Sequence, residues 1–423
     1  MEQTRYGLIG SKLGHSYSKI IHEQIADYTY ELMPLPTEDE ARAFMERRDF
    51  AAINVTIPYK QLVIPYCDVV DPKAAAIGAV NTIVNRDGRL YGYNTDYAGF
   101  AYLARAHSVD FAGKTVLILG TGGTHNTTSA VAKDKGAAKV LTVSRNPDPA
   151  KGELSYAEAV HSGAQIVINT TPAGMYPNVG VCNLDVAAMP GLEAVLDVVY
   201  NPDKTELILR AEEAEVPVAV GGLEMLVAQA VYAAECFLDR KFDDAPGEIR
   251  TITAALRREQ LNVALIGMPS SGKTTIGRAL AEKLGKRFVD LDEEIVKAEG
   301  RSIPDIFAAE GEDGFRAKET EQTARFAKEG RQVLSCGGGV IKRPENLRAL
   351  RQNGVVLFID RPLEDLAVGG GRPLSSSTDA LKEMEAQRRP LYLAAADAVI
   401  PNKTTAADAV AAALEALDAI FVH

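Results

Sequence analysis

The stretch Gly267-Met-Pro-Ser-Ser-Gly272-Lys273-Thr274-Thr275 constrains this 423-residue chain more than any other. It fits G-x-x-x-x-G-K-[ST], a pattern with physical meaning only where a strand enters and a helix leaves. Both are expected here. Residues 263–266 are a continuous apolar run that reads as a buried strand. Residues 275–284 carry apolar side chains at helical spacing, and Gly285 stops them. In that setting backbone N–H groups turn onto phosphate oxygens, and the helix N-terminus adds partial positive charge. Gly267, Ser270, Ser271, Gly272, Lys273, Thr274 and Thr275 are therefore candidate nucleotide contacts, with Lys273 on the β/γ-phosphates and the Thr274 hydroxyl on Mg²⁺. An ordinary glycine-rich turn would need neither the lysine nor the threonine. Everything upstream of the loop needs a separate explanation.

A chain this long exceeds one ordinary core, so two or three domains are expected. Apolar and charged fractions of 46% and 24% are those of a globular protein. A formal net charge of −11 argues against nucleic acid or an anionic membrane as the main partner. Cys67, Cys182, Cys236 and Cys336 stand alone, and the six histidines show no metal-type spacing, which suits reduced thiols. The N-terminus lacks a signal-peptide core, and no apolar run is long enough to span a bilayer. A soluble, cytoplasmic protein with small-molecule partners is the expectation.

Along the chain, strands and helices alternate. Residues 6–9, 30–34 and 52–55 read as strands and 18–28 and 38–47 as helices, a βαβ rhythm without a dinucleotide fingerprint. A strong strand at 114–119 then runs into Gly120-Thr-Gly122-Gly123 and a helix through 135. Strands at 139–144, 166–169, 194–198 and 216–219 make this second block doubly wound, and a long apolar helix covers 224–238. The polar stretch ending in Pro246-Gly247 marks the junction, near 245–261. The first glycine loop is weaker than the second, because His125 takes the third glycine position of G-x-G-x-x-G. Taken alone it fits a dinucleotide site or a tight strand–helix turn equally well. At the end of the next strand, Ser144-Arg145 offers a hydroxyl and a guanidinium where an NAD site usually has an acid; Arg145 suits a 2′-phosphate, which favours NADP.

Eight ordered motifs then carry a resemblance. They are Gly14-His-Ser16-Tyr-Ser18, Asn54-Val-Thr56-Ile-Pro-Tyr-Lys60, Gly78-Ala-Val-Asn81-Thr, Gly92-Tyr-Asn94-Thr-Asp96, the Gly120 loop, Asn169-Thr-Thr-Pro-Ala-Gly174-Met, Asp197-Val-Val-Tyr200-Asn-Pro and Gly222-Leu-Glu-Met225-Leu-Val-Ala-Gln229. Residues 5–242 thereby resemble shikimate dehydrogenases. From 262 to about 401 the chain resembles shikimate kinases, through the phosphate loop, Phe288-Val-Asp290-Leu-Asp292, Phe315-Arg316, Cys336-Gly337-Gly-Gly339, Arg372-Pro-Leu and Arg388-Arg-Pro-Leu-Tyr392. The implied architecture is α/β throughout: a substrate-binding domain at 1–100 with part of 224–245 packing back, a Rossmann NADP-binding domain at 101–245, a linker at 246–261 and a phosphate-loop kinase domain with a central parallel sheet at 262–423.

The resemblance implies two consecutive reactions, reduction of 3-dehydroshikimate by NADPH and phosphorylation of shikimate by ATP with Mg²⁺. It makes Lys60 and Asp96 the catalytic pair of the first, with Ser16 and Ser18 on the substrate carboxylate, Thr56, Asn81 and Gln229 on ring hydroxyls, and Tyr200 in the same pocket. Gly120, Gly122, Gly123, Ser144, Arg145, Gly222 and Met225 would hold the dinucleotide. A ketone reduced by hydride needs a proton donor beside the developing alkoxide, a task an ammonium oriented by a carboxylate can perform. Ser18, just before a helix, would also serve as a cap. In the second half it makes Asp292 the base for the substrate hydroxyl and Asp290 a metal-side acid, the two alternating on one strand face. Arg316 and Arg388 would grip the carboxylate, the turn Gly337, Gly338 and Gly339 would admit the ring, and Arg372 in a lid would close on the transferring phosphate. Departures from the two families' patterns are His125-Asn126, Ser144 and Asn146 beside Arg145, Glu224 for a glycine near the nicotinamide edge, Ser270 for a loop glycine, and Asp365 for an adenine-stacking arginine. Other readings are a quinate/shikimate dehydrogenase using NAD, and a kinase-like module that senses nucleotide without catalysis; a sensor has no need of a substrate base or a carboxylate clamp.

Overall fold

A computed structural model describes residues 5–14, 16–366 and 378–422. By contacts between residues the chain divides into two compact units. One comprises Met1–Met175, Gly180–Tyr200 and Thr205–Thr253; the other comprises Tyr176–Val179, Asn201–Lys204 and Ala254–His423.

The first unit holds two sheets. In the first sheet β1 (Tyr6–Gly10) lies between β2 (Tyr30–Pro34) and β3 (Ala52–Val55), parallel to both. It continues through β4 (Val69–Val70), β5 (Thr82–Arg86) and β6 (Arg89–Tyr93) in the order β2-β1-β3-β5-β6-β4. β5 runs antiparallel to both β3 and β6, so the sheet is mixed and departs from the purely alternating rhythm expected. Asp87 and Gly88, both at positive φ, make the tight β5–β6 hairpin, the turn chemistry that Asp-Gly favours. The second sheet is entirely parallel, ordered β11 (Val218–Val220), β10 (Ala194–Asp197), β9 (Ile166–Asn169), β7 (Thr115–Leu119), β8 (Lys139–Val143). β7, β9 and β10 are buried almost throughout, as β-branched runs covered on both faces should be. The helix Leu223–Leu238 turns back to the first sheet, packing Ala233 and Phe237 against Leu8, Tyr30 and Val84.

The second unit has one parallel sheet, ordered β13 (Arg287–Asp290), β14 (Gln332–Ser335), β12 (Asn262–Ile266), β15 (Gly354–Asp360), β16 (Ala398–Pro401). Apolar clusters cover its two faces, one built around Ile266, Leu334 and Phe358, the other around Leu265, Ile276 and Leu417. Residues Ala245–Gln260, where a linker was expected, are a helix. Ile249, Ile252 and Leu256 are buried on one side of it, and Asp244 caps its start by accepting the Gly247 N–H. Among the described residues no helix is long and apolar enough to cross a membrane.

Candidate active sites

In the first unit, Lys60 and Asp96 come together at 2.6 Å between Nζ and Oδ2, with side chains 19% and 13% exposed. Each is held from its backbone. Asp96 lies in the first turn of the helix Thr95–Ala106, whose cap Asn94 accepts the Tyr97 N–H and donates to the Ala79 carbonyl. The carbonyl of Lys60 accepts from the Val80 N–H. Asn81 is buried beside them, its Oδ1 accepting the Thr95 N–H at 2.7 Å and its Nδ2 donating to Thr95 Oγ1. Tyr30, Asn54 and Thr82 extend this polar network inward: Tyr30 donates to Asn54 Oδ1, and Asn54 donates to Asn81 O and Thr82 Oγ1. Asn81 therefore also orients the start of the helix that carries Asp96.

The other residues expected around the substrate are placed as follows. Ser16 Oγ accepts the Ser18 N–H and lies 3.0 Å from Ser18 Oγ, so this pair also closes the turn into the helix Ser18–Ile25. Thr56 sits over Gly10, where a Cβ would come within 2.5 Å of Thr56 Cγ2. Gln229, buried on the helix Leu223–Leu238, donates to the Leu226 carbonyl. Gly99 brings that helix close to the Asp96 helix, since a Cβ there would lie 2.8 Å from the Met225 carbonyl. The Tyr200 ring lies 5.3 Å from that of Tyr17. Gly99 and Tyr17 had not been singled out; only the helical spacing Asp96–Gly99 hinted at the former.

At the first glycine loop, Gly120 has φ +99°, and a Cβ would meet Thr171 Cγ2 at 2.8 Å. At Gly122 and Gly123 an added Cβ would meet nothing within 4 Å, which leaves the open cradle a pyrophosphate needs at the start of the helix Gly123–Asp134. His125 packs inward, with Nε2 2.8 Å from Thr142 Oγ1, and burial holds its pKa below the ordinary histidine value. Ser144 shares its hydroxyl with Asn146 in a local turn, and Arg145 is exposed. A Cβ on Gly222 would overlap the Val198 carbonyl, and Met225 is buried. The Glu224 carboxylate meets His107 Nε2 at 3.0 Å.

In the second unit a cavity of about 640 Å³ is lined by the phosphate loop, Asp290, Asp292, Arg316, Arg388 and the turn Gly337, Gly338 and Gly339. Gly267 and Gly272 both have positive φ, and a Cβ on either would collide, with Ile359 O at 2.6 Å or Asn402 Nδ2 at 2.8 Å. Ser270 holds φ +64°, a conformation that costs a side-chain-bearing residue energy. Asn402, from the far end of β16, donates to the Ser271 carbonyl. Lys273 curls its Nζ onto the Gly267 and Met268 carbonyls at 3.0 and 2.8 Å. Thr275 lines the same cavity. Thr274 donates to Asp290 Oδ2 at 2.9 Å, and Ser335 Oγ lies 3.4 Å away.

Asp290 and Asp292 reach the cavity differently from the single strand face expected. β13 ends at Asp290, and Asp292 lies in the first turn of the helix Leu291–Glu299. The Asp290 side chain caps that helix by accepting the Asp292 N–H. A carboxylate at the cap satisfies an N–H that would otherwise be orphaned and favours the strand-to-helix switch there.

Arg316 is buried with both sides engaged. Nη1 donates to Glu319 Oε2 at 2.7 Å, while Nε and Nη2 donate to Glu312 Oε1, which also accepts from Lys342. Burial raises the Glu319 pKa, with the Arg316 charge opposing it. Arg388 donates to the Gly338 carbonyl at 2.9 Å. The three glycines make room for side chains of the site: a Cβ on Gly337 would lie 2.6 Å from Glu319 and 2.9 Å from Asp292, and one on Gly338 would lie 3.0 Å from Pro269. Glu319 and Asn402 had escaped the reading of the sequence. The spacing of three between Arg316 and Glu319 on a helix was the available signal for Glu319; Asn402 had none. Arg372 lies outside the described residues. Among the described residues no group of three or more His, Cys, Asp or Glu could hold a metal ion, so a cation here would draw on Thr274 and Asp290 with oxygens from its ligand.

Residues 8–83 match the model of the shikimate dehydrogenase substrate binding domain, and residues 269–418 match that of shikimate kinase. An NADP(+) shikimate dehydrogenase from Clostridium perfringens is 35% identical over 259 residues, covering 57% of this chain and 95% of that protein. A shikimate kinase from Symbiobacterium thermophilum is 44% identical over 167 residues, covering 37% of this chain and 96% of its own. The chain belongs to both families, dehydrogenase first and kinase second. The crystal structure of a chorismate mutase/shikimate 5-dehydrogenase fusion protein from Clostridium acetobutylicum superimposes with a TM-score of 0.55 at 32% identity, covering 60% of this chain and 98% of that one. The dehydrogenase half therefore carries the Lys60–Asp96 pair, and the kinase half carries the cavity around the phosphate loop.

Proposed function

We propose that this chain reduces 3-dehydroshikimate to shikimate with NADPH at its first site and phosphorylates shikimate to shikimate 3-phosphate with ATP and Mg²⁺ at its second. Residues 1–100, with part of 224–245 packing back, form the substrate-binding domain, 101–245 the dinucleotide-binding domain and 262–423 the kinase domain, joined through 246–261; Tyr200 and Gln229 complete the first substrate pocket from the second of these stretches. The observation that carries the reading is that each family's acid–base group sits beside the partner its chemistry needs: Lys60 against Asp96, and Asp292 in a cavity with Lys273, Arg316 and Arg388.

At the first site the Gly120 loop would hold NADPH, which would supply the hydride for the ketone carbon. Lys60 gives a proton to the oxygen as negative charge develops there, and takes one from the hydroxyl in reverse. Asp96 keeps the ammonium aimed and is itself held by the helix cap at Asn94. Ser16, Ser18, Thr56, Asn81, Tyr200 and Gln229 bind the carboxylate and hydroxyls, and Arg145 takes the 2′-phosphate. Buried polar partners of this kind reject analogues that lack a hydroxyl.

At the second site Asp292 accepts the proton of the attacking hydroxyl. Phosphoryl transfer is otherwise positioning and charge neutralisation. With nucleotide bound, Lys273 would exchange the loop carbonyls for phosphate oxygens, and Thr274 with Asp290 would hold Mg²⁺, which would supply neutralisation of phosphate charge. Arg316 and Arg388 bind the substrate carboxylate, and Arg372 is assigned to the transferring phosphate by its motif. Isolated thiols, all four raised in pKa by burial, suit a reducing cytoplasm.

Incubating the full chain with 3-dehydroshikimate, NADPH, ATP and Mg²⁺ tests the reading. Shikimate 3-phosphate should form at the expense of both NADPH and ATP. Oxidation of NADPH without a phosphate ester would remove the kinase assignment.

A further inference from the structure

Asp197, at the C-terminal end of β10, takes no part in the chemistry above, yet its carboxylate is fully buried and accepts three hydrogen bonds. Asn169 Nδ2 and the Val199 N–H donate to Oδ1, each at 2.9 Å, and Thr205 Oγ1 donates to Oδ2 at 2.7 Å. All three donors stand at the carboxyl edge of the parallel sheet, where open α/β sheets bind their ligands.

Two paths lead from this carboxylate to the dinucleotide cradle. Along the first, Asn169 Oδ1 accepts both the N–H and the hydroxyl of Thr171, at 3.0 and 2.7 Å. Thr170 in turn donates its hydroxyl to the Leu119 carbonyl at the end of β7. Thr170 and Thr171 are the groups against which Gly120 packs. Along the second, the Val199 carbonyl accepts the Gly222 N–H at 2.8 Å, and Gly222 lies too close to Val198 for any side chain. One buried side chain thus ties down the supports of Gly120 and of Gly222. Burial pushes the Asp197 pKa up to about 7 against these three donors, so the number and geometry of the hydrogen bonds, rather than a standing charge, stiffen the loops.

We infer that Asp197 is a positioning residue for the dinucleotide, setting the affinity of the first site for NADPH through the loops at Gly120 and Gly222 without touching the ligand. This rests on the reading of the Gly120 loop as the NADPH cradle.

The test titrates NADPH, by the fluorescence of its bound nicotinamide, into the full chain carrying Asp197→Asn or Thr205→Val. Asp197→Asn should raise the dissociation constant at least tenfold and Thr205→Val about threefold, with the double variant falling short of the product because both act on one network. The KM for shikimate and the kinase activity of the same chains should stay within twofold of wild type. If Asp197→Asn does not fold, Thr205→Val decides alone. NADPH affinity within twofold of wild type in the folded variants would overturn the inference, as would a parallel loss of NADPH and shikimate affinity. Failure of the wild-type chain to bind NADPH would instead remove the cradle assignment on which the inference rests.

Discussion

Gly339 is a glycine because Arg316 occupies the space its side chain would fill. A Cβ there would overlap the guanidinium carbon and both terminal nitrogens. Glu319 and Glu312 hold that guanidinium from two sides, so it has nowhere to retreat. Gly339→Ala should therefore displace Arg316 and weaken shikimate binding at the kinase site. Charged hydrogen bonds contribute about 1.5–3 kcal/mol each, so losing one or two should raise KM for shikimate on the order of 10- to 100-fold. Steady-state kinetics of both half-reactions check this, and the KM for NADPH should not move.

Removing the ammonium at the first site should be more severe for turnover than for binding. Lys60→Ala should lower kcat for NADPH oxidation by about 10²–10⁴, the usual worth of a positioned acid–base group. Asp96→Asn keeps a hydrogen-bond acceptor near Lys60 and should cost less. Turnover numbers with saturating NADPH separate the two.

Ser270 sits at φ +64° in the phosphate loop, where glycine would be unstrained. Ser270→Gly should relieve part of the roughly 1–2 kcal/mol that a side chain costs in this region. The greater freedom of glycine in the unfolded chain offsets about 0.5–1 kcal/mol of that. A net gain of up to about 1 kcal/mol in the kinase transition is expected by urea denaturation, with the KM for ATP within a few fold.

Lys286 is mostly buried, donating to the Glu259 and Leu261 carbonyls, and burial lowers its pKa to about 8. Because the folded pKa lies below the unfolded value of 10.5, folding opposes protonation. Below about pH 8 both states carry the proton and the penalty is present in full. Between pH 8 and 10.5 the folded state sheds its proton first, so this group's contribution to stability rises with pH. The difference in unfolding free energy between wild type and Lys286→Met should therefore shift in favour of wild type across that window. A flat difference would contradict it.

Much of this was legible in the chain because it is encoded locally. The strand, loop and helix around Lys273 are adjacent in sequence, and the contexts of Lys60 and Asp96 are short motifs. Relations that depend on distant segments were not legible. Nothing near Arg316 announces that Gly339 must make room for it, and nothing near Ser271 points to Asn402. The helix Ala245–Gln260 hid behind Pro246-Gly247, which reads as a break, although proline is tolerated in a first helical turn. Its signal was the spacing of Ile249, Ile252 and Leu256, diluted by a polar outer face. The placement of Asp292 on a helix failed for a similar reason, since alternating acids at a strand end look the same whether the strand continues or yields to a helix capped by the first of them.

The most direct measurement follows both products of the Asp292→Asn chain supplied with 3-dehydroshikimate, NADPH, ATP and Mg²⁺. NADPH should be oxidised at the wild-type rate and shikimate should accumulate, while shikimate 3-phosphate forms slower by about 10²–10⁴. Phosphate ester appearing near the wild-type rate would contradict the assignment of Asp292 as the base, and loss of NADPH oxidation would contradict its assignment to the second reaction alone.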